Sequence, residues 1–353
     1  MEEKNKIRVL IVDDSAFMRT AIERMLKEDP EIEIIGSAAN GKEAIEKNLR
    51  LKPDVVTLDV EMPIMDGLHA LKEIMKLRPV PVIMVSSMTK EGAKVTLDAL
   101  ELGALDFIGK PGSTLSLNIL DIRNDLIRKV RVAAHSEPRA EKIKLGKITS
   151  KPTLLSNEQG TFIDWIVLIG ASTGGPPAIL NVLTGLPGNL PAPIVIAQHM
   201  PRSFTNAFAQ RLNSLCNLRV KEASDGEVIQ RSLVYICPGD TQTRIKRRDD
   251  NRLILSVSPG KAANEKFAPS VDVLFLSAAE ILSPKIIGVI LTGMGEDGVK
   301  GLKNIKLLGG LTLAQDKSTS VVYGMPRAAL EDGAVTRTLP IQDISQEIEL
   351  ALR

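Results

Sequence analysis

The sequence predicts a two-domain α/β protein with a parallel sheet in each half. Strand-sized apolar runs alternate with amphipathic, helix-like stretches along most of the chain. A length of 353 residues suits two domains with ordinary cores. Polar residues suited to chemistry stand where strands end, the edge at which doubly wound sheets collect function.

In chain order, the first strands are Ile7–Val12, Ile32–Ser37, Val55–Leu58, Pro81–Ser86 and Leu105–Ile108, with helical patterns such as Ala16–Lys27 and Lys42–Arg50 between them. This spacing defines a doubly wound domain over residues 1–126. The stretch 127–160 differs: Arg128–Gly160 holds eight basic residues against three acidic ones, with few apolar residues after Ala134. That composition reads as a solvated linker, with docking onto an acidic partner as the alternative. Alternation resumes in a second domain, 161–353, with strands at Trp165–Ile169, Ile194–Gln198, Leu233–Cys237, Ile286–Thr292 and Leu311–Ala314.

Composition excludes several classes. A net charge of +2 and 3% aromatic residues give no basis for nucleic acid as a partner. No apolar run has membrane-spanning length, so no membrane insertion is expected. The charged N-terminus leads straight into a strand, so no signal peptide is expected. A cytoplasmic protein is expected, with Cys216 and Cys237 as buried, reduced thiols.

Residues 166–175 read Ile-Val-Leu-Ile-Gly-Ala-Ser-Thr-Gly-Gly, a strand breaking into a glycine-flanked turn with Ser172 at its tip. Glycines remove the Cβ atoms that would clash in such a corner, and Pro176-Pro177 suits the first turn of a following helix. The helix N–H groups would face a developing negative charge. This is the arrangement of an acyl-transfer nucleophile.

The N-terminal half carries a second constellation. Asp13 and Asp14 close the first strand, Asp59 the third, Ser86 the fourth, and Lys110 follows the fifth. Three carboxylates on one rim are costly without a cation, and an all-oxygen set suits Mg²⁺. A metal, a hydroxyl and a lysine around one aspartate describe a phosphoryl acceptor. The runs Val-Asp-Asp-Ser, Leu-Asp-Val-Glu-Met-Pro-x-Met-Asp-Gly and Gly-Ala-Leu-Asp-Phe-Ile-Gly-Lys-Pro closely resemble the bacterial response-regulator receiver domain. The resemblance implies a flavodoxin-like fold, phosphorylation at Asp59, and Mg²⁺ held by Asp13, Asp14 and Asp59. It further implies Ser86 as switch hydroxyl, Lys110 as phosphate-binding lysine and Phe107 as switch aromatic.

Ser172 needs a base. Of three histidines, only His199, at the end of the strand Ile194–Gln198, lies in the same domain. An acid must then orient the imidazole. Glu296 and Asp297, after the strand 286–292, are both available on local pattern. The order Ser, His, acid departs from that of the α/β-hydrolase fold, although Gly170-x-Ser172-x-Gly174 fits its elbow. Gly293-Met-Gly295-Glu-Asp-Gly298 is also a literal dinucleotide fingerprint with Asp316 downstream. Too few residues follow it to complete a dinucleotide-binding half, and it leaves Ser172 and His199 without a role.

Gly-Ala-Ser-Thr-Gly-Gly, Ala-Gln-His-Met-Pro, Pro-Ser-Val-Asp-Val-Leu-Phe (269–275), Leu-Thr-Gly-Met-Gly-Glu-Asp-Gly, Ala-Gln-Asp (314–316) and Ser-Val-Val-Tyr-Gly-Met-Pro resemble the catalytic domain of the chemotaxis methylesterases. The two resemblances together imply a protein-glutamate methylesterase/glutamine deamidase acting on methyl-accepting chemoreceptors. They imply Asp297 as the acid of a Ser172–His199–Asp297 triad, and no cofactor in this half. The backbone N–H groups of Thr173 and Met294 are expected to hold the oxyanion. A chemotaxis histidine kinase would supply phosphate to Asp59, relieving inhibition by the receiver. The competing readings are a phospho-dependent binding module with an inactive serine, and a dinucleotide enzyme using 293–298.

Overall fold

The computed structural model describes residues 6–110, 119–136, 163–260 and 266–353. The chain divides into two compact units, Met1–Lys142 and Ile143–Arg353. The first contains β1 (Ile7–Val12), α1 (Ala16–Lys27), β2 (Ile32–Ala38), α2 (Gly41–Leu51), β3 (Val55–Asp59), α3 (Gly67–Leu77), β4 (Val82–Ser86), α4 (Lys90–Glu101), β5 (Asp106–Gly109) and α5 (Ile119–Ala134). Its sheet runs β2-β1-β3-β4-β5 with every pair parallel. The chain leaves β1 to one side and returns to β3 on the other, so the crevice lies beyond the ends of β1 and β3. Helices α1 and α5 pack together, as do α2, α3 and α4 in succession. Two-sided cover explains why the strands are almost continuously apolar. Side-chain caps then start the helices: Ser15, Asn40, Asp66 and Thr89 each accept an N–H from the first turn of the helix that follows.

The expected start of the linker needs correction. Residues 127–134 continue α5, because Leu126, Val130 and Ala133 recur at helical spacing and are buried. The first basic residues of the seam act within this unit: Lys129 pairs with Asp106 and Asp125, and Arg131 with Asp29. Residues 137–160 of the expected linker lie outside the described residues.

The second unit contains β6 (Ile166–Ala171), α6 (Gly175–Thr184), β7 (Ile194–Gln198), α7 (Arg202–Leu215), β8 (Arg219–Glu222), β9 (Leu233–Ile236), β10 (Thr241–Arg247), β11 (Leu253–Pro259) and α8 (Val271–Leu282). It continues through β12 (Ile286–Ile290), α9 (Val299–Leu307), β13 (Leu311–Gln315), α10 (Met325–Glu331), β14 (Arg337–Leu339) and α11 (Ile341–Ala351). The seven-stranded sheet runs β14-β13-β12-β6-β7-β9-β8 and is parallel throughout. Strand β6 lies between β7 and β12, so this sheet also reverses direction at its first strand. Four strands escaped the sequence pattern. β8 and β14 are short polar edge strands, and β10 and β11 form a separate antiparallel hairpin packed on α8. Among the described residues no helix is long and apolar enough to cross a membrane.

Candidate active site

The loops after β6, β7 and β12 meet at the reversal of the second sheet. Gly170 pairs with Ala197 on one side and with Ile290 on the other, which sets the three loops at one level. Ser172, 7% exposed, follows β6. Its N–H donates to Thr292 O (3.1 Å), and its carbonyl accepts Gly175 N–H (2.8 Å), closing the tight turn. Gly174 holds that turn with φ +75 at the cap of α6. Gly293 is required for contact: a Cβ there would lie 2.8 Å from Ser172 Cβ.

His199 follows β7, its N–H donating to Ala171 O (3.0 Å). Gln198 Nε2 donates to the carbonyls of Ser172 (2.9 Å) and His199 (3.1 Å), tying the two strand ends together. The His199 Nε2 lies 2.8 Å from Asp297 Oδ2. His199 Nδ1 is buried and has no hydrogen-bond partner among the described residues. The structure thus joins His199 to Asp297 and leaves Nδ1 as the second nitrogen. No direct hydrogen bond links it to Ser172, as is common before substrate tightens such a site.

Asp297 sits at the N-terminus of α8, accepting from Ser270 Oγ (2.9 Å), Val271 N (2.7 Å) and Asp272 N (3.1 Å). Burial opposes its charge, but the hydrogen bonds and charge of His199 and the helix N–H groups prevail, holding the carboxyl below the usual carboxylate range. Of the two acids that local pattern allows, Asp297, the one the resemblance implies, is the one that meets His199. The Phe267 ring stacks on the imidazole, centroids 4.2 Å apart and planes 10° apart. Phe267 and Ser270 were not found from the sequence. Ser270 was legible only as a cap before the apolar run 271–282, and nothing local marks Phe267.

Of the expected oxyanion donors, Thr173 is 3% exposed and Met294 6%. The Gly293 carbonyl accepts both Gly324 N–H (3.1 Å) and Met325 N–H (2.8 Å). Peptide planarity turns the Met294 N–H to the opposite side. As for the dinucleotide alternative, the α9 first-turn N–H of Gly301 donates to Asp272 Oδ1 (2.8 Å). A protein carboxylate therefore occupies the amide that a pyrophosphate would need. Burial and the neighbouring Asp297 charge push Asp272 up to about 6 against that hydrogen bond.

The first unit gathers its residues beyond β1 and β3. One ligand atom each of Asp13, Asp14 and Asp59 lie within 4.8 Å of one another. Lys110 Nζ stands 2.7 Å from Asp59 Oδ2 and 3.3 Å from Asp13 Oδ2. Asp13 Oδ1 accepts Ser15 N–H (2.9 Å), while the buried Oδ2 has no hydrogen bond. Burial, with Asp13 adding repulsion, pushes Asp59 up to about 6 despite the Lys110 hydrogen bond. Burial works against the Lys110 charge, but Asp59 and Asp13 outweigh it and hold the ammonium above the usual lysine range. Three carboxylates gathered around one lysine, with a buried Asp13 oxygen that accepts no hydrogen bond, fit a hard divalent cation.

Ser86 is not turned to this cluster. Its hydroxyl accepts from Thr96 Oγ1 (2.7 Å) and lies 3.3 Å from Gly92 O on α4. Phe107 is buried, with its carbonyl accepting Lys129 Nζ (2.5 Å) and the same ammonium 5.4 Å from its ring centre. Both cysteines are free and buried, and burial raises each thiol to about 12.

Comparison with known proteins agrees with both halves. Residues 167–348 match the CheB methylesterase family, and residues 9–118 the response regulator receiver domain family. The protein-glutamate methylesterase/protein-glutamine glutaminase 1 of Geobacter sulfurreducens is 43% identical over 355 residues, 98% of each chain. The protein-glutamate methylesterase/protein-glutamine glutaminase of Thermotoga maritima is 44% identical, over 97% of each. The crystal structure of the Thermotoga maritima CheB methylesterase catalytic domain superposes with a TM-score of 0.52 at 42% identity. It covers 54% of this chain and 99% of that one.

Proposed function

This chain belongs to the CheB methylesterase family, and from that premise we propose that it hydrolyses γ-methyl esters of chemoreceptor glutamates and deamidates receptor glutamines under control of its receiver domain. The observation that carries the reading is the Asp297–His199 pair beside the Ser172 turn.

His199 Nδ1 takes the Ser172 proton as Oγ attacks the ester carbonyl carbon. The tetrahedral oxyanion is held by the N–H groups of Thr173 and Met294. Its collapse breaks the C–O bond to the methoxy group, His199 returns the proton, and methanol leaves. Water, deprotonated by His199, then attacks the acyl-enzyme; glutamate departs and Ser172 regains its proton. On glutamine the same steps release ammonia. Asp297 fixes the tautomer and stabilises the imidazolium. Thermodynamically, the Phe267 face favours that cation as well. Phe267→Ala is therefore expected to lower kcat about tenfold with little change in KM, and Phe267→Trp to restore most of it. Equal losses in both variants would argue for a packing role alone.

In the receiver, Asp13, Asp14 and Asp59 would hold Mg²⁺, which supplies charge neutralisation for phosphoryl transfer from a histidine kinase. Lys110 would bind a phosphoryl oxygen, and Ser86 would leave Thr96 to do the same, with Phe107 answering the change. The reading is tested by methanol release from methylated receptor membranes, with and without a small phosphodonor and Mg²⁺. Stimulation that disappears in Asp59→Asn supports it; equal stimulation in that variant sinks the regulatory half.

The same variant carries a pH signature. A carboxyl raised to about 6 when folded binds more protons there than in the unfolded chain, so its cost appears as pH rises from about 4 to 6. Asp59→Asn should stabilise the receiver above pH 6, by on the order of 1–2 kcal/mol, and have no such effect below pH 4. Thermal melts at both pH values, without Mg²⁺, check this.

A further inference from the structure

We propose that the outer face of the β10–β11 hairpin is a docking surface for acidic, glutamate-bearing segments of the protein substrate, with Arg244 and Lys246 as its contacts. The proposal rests on the esterase reading above and adds the surface that holds the substrate. Ile245, Leu253 and Leu255 are buried, so strand alternation sets Gln242, Arg244 and Lys246 on the opposite face of the hairpin. Gln242 stands at the end nearest the triad. Its Nε2 donates to Phe267 O (2.7 Å), and its Oε1 accepts Ser270 N–H (3.0 Å). These are the two residues that stack on His199 and hydrogen-bond Asp297. From Gln242 the strand carries Arg244 about 7 Å and Lys246 about 14 Å further on.

Among the described residues neither cation has an acidic partner: Arg244 bonds the neutral Ser258 Oγ (3.3 Å), and Lys246 has no ion pair. Their basic neighbours are used internally: Arg247 donates to the carbonyls of Asn251 and Ile281, while Arg248 and Arg252 pair with Asp250. The occupant follows from charge and from the reaction. Each turnover leaves a carboxylate on the substrate, so a segment with several modifiable residues is anionic. On a helical segment, carboxylates one turn apart lie about 5 Å from each other, close to the about 7 Å that separates Arg244 from Lys246 along the strand. Such a row of charges selects partners and raises encounter rates more than it deepens a pocket.

The test uses the full chain and two synthetic helical peptides, each with one γ-methyl glutamate. One has glutamates one and two turns away; the other has serines there. Methanol release gives kcat/KM for each. The wild type is expected to prefer the acidic peptide about tenfold at low salt, with the preference shrinking at 0.5 M salt. R244E/K246E should abolish or invert the preference, and R244K/K246R should keep it. An undiminished preference in R244E/K246E would overturn the docking surface while leaving the esterase reading intact. No methanol from either peptide with wild-type protein would overturn that reading, and the docking surface with it.

Discussion

Replacing Ser172 by alanine is expected to lower methanol release by at least about 10⁴-fold while leaving the fold in place. The side chain is buried at the tip of a turn held by backbone hydrogen bonds, Ser172 N–H to Thr292 and Gly175 N–H to Ser172, which alanine retains. Removing Oγ takes away the only covalent step and leaves what oxyanion donors and binding supply, a residual of about 10³–10⁴ over water in comparable sites. Residues that act as one unit are strongly non-additive. Ser172→Ala/His199→Ala should therefore be scarcely slower than Ser172→Ala alone. Steady-state methanol release with purified variants measures both, and circular dichroism checks the fold. Activity within tenfold of wild type in Ser172→Ala would remove the serine from the mechanism.

Asp297→Asn should cost about 10⁴-fold in kcat for a different reason. Asp297 accepts from three donors at the start of α8 and meets His199 Nε2 at 2.8 Å. An asparagine oxygen that keeps the Ser270 and Asp272 donors at the Oδ1 position turns its N–H₂ toward His199 and the Val271 N–H. Nε2 must then accept, the ring proton moves to Nδ1, and the nitrogen proposed as the base for Ser172 can no longer take its proton. Nitrogen-15 shifts of His199 should report the exchanged tautomer, a readout that packing damage would not produce. A wild-type tautomer in the variant would count against this account. Stability carries a second signature. Because the Asp297 carboxyl is held below its usual range when folded, it stabilises the unit above about pH 4 and that contribution is lost as pH falls further. Acid unfolding of the asparagine variant should lack this limb.

Much of the architecture was legible because buried parallel strands must be apolar on both faces. All five strands of the first sheet and five of the second stand out as runs bounded by turn residues. The edge strands β8 and β14 and the hairpin β10–β11 did not, since one face or one edge meets water and the run is broken by Arg, Lys and Thr. The end of the first unit was misjudged for a related reason. Arg128, Lys129 and Arg131 look like linker charges until Asp106, 23 residues before Lys129, Asp29, 102 residues before Arg131, and Asp125, a single turn back, are seen to neutralise them.

The sequence by itself determined which chemistry this protein carries. Glycines around Ser172, a single histidine in the same half, and acids and a lysine at successive strand ends are properties of local backbone geometry and residue type. Tertiary structure alone decided which atoms meet. The meeting of Asp297 with His199 through Nε2, which leaves Nδ1 free, and the Phe267 stack join segments far apart in the chain, and the turning of Ser86 toward Thr96 depends on how α4 packs on β4. Such contacts are set by the register of strands in the sheet and by the helices packed across it, and no local pattern encodes that register.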